Sequence, residues 1–239
     1  MSVMLRWMLP GALLLTLCSV GCDSMPGRPT LADYPLAPSA VVNFSSLYDQ
    51  NCAGCHGANG KFGGAVALNN PVYLSIVDDA TMTKIITQGV RGTPMPAFAQ
   101  SAGGMLTDQQ IAIIVGGIRS RWASASAAAG APPYVANSAG DAARGATVYA
   151  TFCQSCHGAD GRGGSAPGSI VDGSYLALIS DQDLRAIVIA GRPDLGHPDW
   201  KDDLAGQQMS ADQVSDVIAW LASKRTATPV GTSYAGRDQ

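Results

Sequence analysis

The pentapeptide Cys-x-x-Cys-His occurs twice, as Cys52-Ala53-Gly54-Cys55-His56 and Cys153-Gln154-Ser155-Cys156-His157, each followed by Gly. No other feature of the chain restricts its fold as strongly. The motif is the attachment signature of c-type haem: two thiols each form a thioether to a vinyl group, and the adjacent His lies under the iron as proximal ligand. A structural zinc site would need four Cys and His ligands meeting at one metal. Here each Cys pair has its own His and its own domain-sized flank. A thioredoxin-like dithiol would come with a βαβ pattern, and neither motif has one nearby.

The flanks repeat along with the motifs. His56 and His157 are 101 residues apart, and Leu47-Tyr48 matches Val148-Tyr149 at the same offset. Downstream, Tyr73-Leu74-x-Ile76 matches Tyr175-Leu176-x-Leu178, and Ile85-Ile86-x-x-Gly89 matches Ile187-Val188-x-x-Gly191, both at 102. Ile111, Ile114, Val115 and Ile118 match Val214, Val217, Ile218 and Leu221 at 103. So small a drift over a whole domain points to duplication with short loop insertions. The last apolar set in each half recurs at i, i+3, i+4 and i+7, one face of a helix. Capping boxes precede these sets, at Thr107-x-x-Gln110 and Ser210-x-x-Gln213, and Ser180-x-x-Asp183 opens a middle helix in the same way. Helices are also expected to lead into the motifs, near Val42–Asn51 and Asp141–Phe152. The Gly-rich stretches 57–64 and 158–168 read as loops.

Length allows two small domains: the chain has 239 residues. The net charge of −3 gives no sign of nucleic-acid binding. Ala and Gly are abundant and aromatics few, which suits small helical domains whose core is partly cofactor. The expected organisation is a signal peptide at 1–21, a tether at 22–39, a first domain at 40–122, an Ala/Pro/Ser/Gly linker at 123–139, a second domain at 140–225 and a flexible tail at 226–239.

The N-terminus carries an export signature. Arg6 precedes a mostly apolar run, Trp7–Leu17, too short to span a bilayer. Ser19-Val20-Gly21-Cys22 follows and resembles a bacterial lipobox, although Ser19 stands where Leu is usual; an ordinary cleaved signal is the alternative. Cys22 is the expected lipidation site, Cys18 being disfavoured by the bulky Leu17 before it. Two or more lipid chains would anchor the protein stably; by resemblance to Gram-negative lipoproteins, Asp23 would retain it on the inner membrane, the alternative being an incidental polar residue. Four of the six Cys belong to the haem motifs and two to the signal region, leaving none for disulfides.

Each half resembles a class I cytochrome c domain: N-terminal helix, Cys-x-x-Cys-His-Gly, Gly-rich loop, middle helix, distal-ligand loop, C-terminal helix. The resemblance implies an all-α fold of two tandem domains, each around one covalently bound haem c. It also implies a distal ligand, usually Met, on a loop before the last helix. In the first half that is Met95, in Thr93-Pro94-Met95-Pro96, where flanking Pro residues restrict the loop; Met105 is the competitor. The second half has no Met there. The local offset of 102 puts His197 on Met95, Pro198 on Pro96 and Trp200 on Phe98. The expected axial pairs are His56 with Met95 and His157 with His197, with Met209 or an open position as alternatives at the second iron. Arg91 and Arg192 are possible propionate partners. Trp200, Tyr73 and Tyr175 could touch haem or fill core, and Pro167 resembles the family Pro whose carbonyl accepts from the proximal His, with Val66 at that place in the first half.

With both irons closed by protein ligands, the expected function is transfer of single electrons between redox partners of a membrane respiratory complex, on the periplasmic side. A Met ligand favours reduced iron and raises the potential, so the two haems are expected to be unequal, the Met95 site higher. The competing reading is a diheme enzyme, peroxidase-like or thiosulfate-oxidising, with a displaceable distal ligand. A subunit whose second haem is structural is a third.

Overall fold

The structure is a computed structural model of the chain; it describes residues 27, 29–30, 33–124, 129–164, 168–201 and 207–225. The export segment with Cys18 and Cys22, Pro167 and the tail from 226 lie outside the described residues. The chain divides into two compact units, residues 1–40 and 41–239. The described part of the first contains a 3-10 turn at Pro38–Ala40. Both cytochrome-like halves lie in the second.

Among the described residues the second unit is all-α, and each half repeats the same five helices. The first half has α1 (Phe44–Asn51), α2 (Ala53–His56), α3 (Pro71–Ile76), α4 (Asp79–Gln88) and α5 (Asp108–Trp122). The second has α6 (Ala142–Phe152), α7 (Gln154–His157), α8 (Gly173–Leu178), α9 (Asp181–Ala190) and α10 (Ala211–Ala222). All three expected capping boxes form, at Thr107–Gln110, Ser180–Asp183 and Ser210–Gln213. Each satisfies two end N–H groups reciprocally, so these helices start where the sequence places them. The motif helices α2 and α7 are single turns. They bring the two thiols and the imidazole onto one short arc.

The first and last helices of each half cross at small residues, but the two crossings are built from opposite sides. In the first half Phe44 of α1 lies over Gly117 of α5, where a Cβ would come within 1.9 Å of the Phe44 ring. In the second the small residue is Gly145 of α6, and a Cβ there would meet the Asp216 carbonyl at 2.0 Å and Trp220 at 2.8 Å. Gly145 stands at the repeat position of Phe44, and Trp220 at that of Gly117. Large and small have changed places. An aromatic cluster results either way: Tyr48 packs edge-on against Trp122 at 5.2 Å, and Tyr149 stacks on Trp220 at 4.1 Å.

A second pair of anchors comes from arginines. Arg119 donates to the carbonyls of Leu74 and Val77 and pairs with Asp79. Arg225 donates to those of Leu176 and Ile179 and pairs with Asp181. Both hold the bend between the third and fourth helices of their half, where carbonyls at a helix end lack intrahelical partners.

The halves pack on each other, with α9 against α3. Asn70 is central to this seam and 2% exposed. Its side-chain oxygen caps α3 by accepting from the N–H groups of Val72 and Tyr73, while its Nδ2 donates to Ala190 O at 2.8 Å and Gly191 O at 3.3 Å in the other half. The segment expected to be a linker is partly strapped down. Gln182 Nε2 donates to Tyr134 O, and Arg185, buried, donates through Nε to the carbonyls of Pro133 and Tyr134 and through Nη1 to Ser215 Oγ. The physical reason is that backbone carbonyls beside a buried surface must find donors, and α9 supplies them.

Candidate functional site

The two distal loops close with the same hydrogen bond: Val90 N donates to Met95 O at 3.0 Å, and Arg192 N donates to His197 O at 3.0 Å. Beyond it they differ by one residue, Phe98 N returning to Ile86 O at 3.0 Å and Trp200 N to Ile189 O at 3.1 Å, one position past Val188, the counterpart of Ile86. A glycine opens each loop at positive φ, Gly89 at 68° and Gly191 at 65°. A Cβ on Gly89 would meet Met95 O and Pro96 at 2.6–2.7 Å, and one on Gly191 would meet Pro198 O at 2.4 Å. Only glycine allows that approach, which sets where the loop turns back. His197 therefore occupies the place of Met95 by backbone pairing, independently of sequence alignment.

The two histidines of the second half lie close together. The His157 and His197 rings lie 5.9 Å apart, centroid to centroid, and are inclined by 47°. Two nitrogen–metal bonds of about 2 Å each plus the two half-rings come to roughly this spacing. The Nδ1 atoms of both rings are buried without a hydrogen-bond partner among the described residues. His56 Nδ1 lies 2.8 Å from Val66 O. A carbonyl only accepts, so Nδ1 carries the proton and Nε2 keeps its lone pair for a metal. Burial pushes all three imidazoles below the usual histidine range; the Val66 carbonyl opposes this at His56, and the charge of Arg192 adds to it at both His56 and His197. A neutral imidazole is the form that binds a metal.

Among the motif cysteines, Cys55 and Cys156 are exposed and Cys52 and Cys153 half-buried, and none is in a disulfide. Met95 is half-buried and its N–H is held by Thr93 Oγ1 at 3.2 Å. Met105, the competitor, is 78% exposed. Met209 is buried directly before the N-cap of α10, and its N–H donates to Trp200 O. Trp200 is buried with Nε1 lacking a partner among the described residues. Tyr73 is core, whereas Tyr175 is 37% exposed. Arg91 is exposed on its loop.

Arg192, a possible propionate partner, already meets protein acceptors. Its guanidinium forks onto the Asp194 carboxylate at 3.0 and 2.8 Å and donates to Ala65 O at 3.0 Å and Gly63 O at 2.9 Å, in the other half. Asp194 also accepts from the N–H of Phe62 at 2.8 Å. Sequence reasoning singled out Arg192 but found neither Asp194 nor Asn70; nothing in a linear pattern marks their bonds to Phe62 and to Ala190 and Gly191, more than a hundred positions away.

Residues 40–116 match the family model described as "Cytochrome C oxidase, cbb3-type, subunit III", and residues 142–225 match "Cytochrome c". The chain is a c-type cytochrome with two haem domains. Its cofactors are two covalently bound haem c groups, on Cys52/Cys55 and Cys153/Cys156. The cytochrome is 33% identical over 152 residues to the cbb3-type cytochrome c oxidase subunit CcoP of Azospirillum sp. (strain B510), covering 59% of this chain and 46% of that one. It is 30% identical to the subunit FixP of Azorhizobium caulinodans, covering 67% and 52%. It is 25% identical over 219 residues to the cytochrome bc1 complex cytochrome c subunit of Corynebacterium efficiens, covering 82% and 67%. The cytochrome thus spans about half the length of the cbb3 relatives that it matches. No helix among its described residues is long and apolar enough to cross a membrane.

Proposed function

We propose that this cytochrome passes single electrons between redox partners within a membrane respiratory complex, with His56 and Met95 as axial ligands in the first half and His157 and His197 in the second. The observation that supports this reading is the hydrogen bond that closes both distal loops alike, with Met95 and His197 at the same place in each, so that either could serve as the second protein ligand of its iron. A site closed on both faces favours outer-sphere electron transfer over substrate chemistry. The relatives named as subunits of cbb3 oxidase and bc1 complexes support a place in such an assembly.

Haem supplies a one-electron couple at each site. The chain's own residues set its character. Val66 O holds the His56 ring and raises its basicity. The thioether of Met95 favours the reduced state, and the second imidazole in the other half favours the oxidised one. An electron then rests mainly in the first half, by tenfold for every ~59 mV between the two couples. Lipidation at Cys22 would keep the cytochrome at the periplasmic face of the inner membrane, with residues 23–39 as a tether.

The test is a spectroscopic redox titration combined with exposure of the reduced protein to carbon monoxide. Two low-spin haems with distinct midpoints and no rapid carbon monoxide binding are expected. Prompt binding at either iron would mean an open or displaceable ligand, and would favour a diheme enzyme instead.

A further inference from the structure

We infer that the buried Arg192–Asp194 pair is an electrostatic bridge shared by both haem sites, setting the two iron potentials together. The inference rests on the two-haem, closed-iron reading above and adds a residue pair that acts on both sites.

The geometry is two-sided. On one side, Arg192 exchanges both backbone hydrogen bonds with His197, each at 3.0 Å. On the other, its guanidinium grips the carbonyls of Gly63 and Ala65, and Ala65 is bonded to Val66, whose carbonyl holds the His56 ring. Asp194 holds the same loop through the Phe62 N–H. One ion pair therefore touches the loop behind the first proximal ligand and the loop that presents the second distal ligand.

The distal turn itself does not require an arginine. Val90 stands at the same place in the first half and its N–H makes the corresponding bond to Met95 O with an apolar side chain, the Met95 N–H going to Thr93 Oγ1 instead. Nor is the seam otherwise without a link, because Asn70 crosses it independently. What the pair adds is charge in a poorly solvated place: the Arg192 side chain is 9% exposed and that of Asp194 1%. Bulk salt screens such charges weakly, and a fork of two N–H···O bonds fixes their positions. Charge at that point acts on the oxidised and reduced states of both irons. Arg192 and Asp194 are positioning residues in this scheme, since neither is expected to touch iron.

Three variants of the full chain separate charge from clamping. Arg192→Gln removes the positive charge and should lower both midpoints. Asp194→Asn removes the negative charge and should raise both. Arg192→Lys keeps the charge, loses the fork, and should leave both midpoints near those of the unsubstituted protein while lowering its thermal midpoint. Spectroelectrochemical titration of each haem is the readout, with thermal unfolding beside it. Loss of stability in all three without movement of the midpoints would show a clamp only and overturn the inference. So would movement of one midpoint alone. Should Arg192→Gln not fold, Asp194→Asn decides: both midpoints up upholds the inference, any other pattern overturns it. Failure of the underlying reading is visible earlier, as a single haem or rapid carbon monoxide binding in the unsubstituted protein.

Discussion

At residue 197 an imidazole stands where the first half has a thioether, on a loop closed by the same backbone hydrogen bond. His197→Met should therefore restore the ligand type of the first half and raise one midpoint only, by on the order of 100 mV within the ~0.8 V that axial ligation spans. A redox titration in which both midpoints rise, or neither does, would contradict the assignment. Asp194 gives a pH prediction. The Arg192 guanidinium beside it, with help from the Phe62 N–H, holds its carboxyl down at about 2, against about 3.9 in an unfolded chain. A depressed carboxyl stabilises the fold while ionised. Its contribution, about 2 kcal/mol, is complete above pH ~4 and is lost as the pH falls towards ~2. Asp216, lowered by Arg144, acts with the same sign. Acid unfolding of Asp194→Asn should accordingly be flatter between pH ~4 and ~2 than that of the unsubstituted protein, as followed by circular dichroism.

At the scale of elements, the crossing of first and last helices shows how duplication diverged. Phe44 over Gly117 and Trp220 over Gly145 solve one packing problem with exchanged partners. Gly117→Ala should destabilise by ~1–3 kcal/mol, because overpacking a tight contact forces shifts. In a Phe44→Gly background the same substitution should cost almost nothing, giving a coupling of ~0.5–3 kcal/mol in a urea-denaturation double-mutant cycle. The helices were legible in the sequence because their signals are local: capping boxes, a 3.6-residue apolar period, glycine-rich loops. The exchange at the crossing was not, because it needs two positions read together across 73 residues of chain in one half and 75 in the other. Arg119 and Arg225 make the same point. They hold equivalent carbonyls, yet they lie 106 residues apart rather than 102 or 103. Alignment by offset pairs neither with the other.

At the scale of the whole molecule, the two halves share a seam that no motif announced. Composition marked residues 123–139 as a linker, and chain statistics say nothing about where α9 will find its neighbours. Asn70 tests the seam cleanly. Its oxygen caps α3 while its amide nitrogen reaches the other half, so the two jobs belong to different atoms. Asn70→Asp keeps the cap, since Asp caps as well as Asn, but replaces a donor by a charge facing two carbonyls. We expect the unsubstituted protein to unfold in one transition and Asn70→Asp to separate the halves into two, as seen by denaturant titration with domain-specific haem absorbance as probe. A single unshifted transition would mean that the seam carries no cooperativity.

The grip of Arg192 on Gly63 and Ala65 also bears on biogenesis. A chain is made N-terminus first, and its domains fold as units in that order. The first half is therefore made before the arginine that donates to the Gly63 and Ala65 carbonyls, so in this fold those two acceptors find their partner only once the second half is in place.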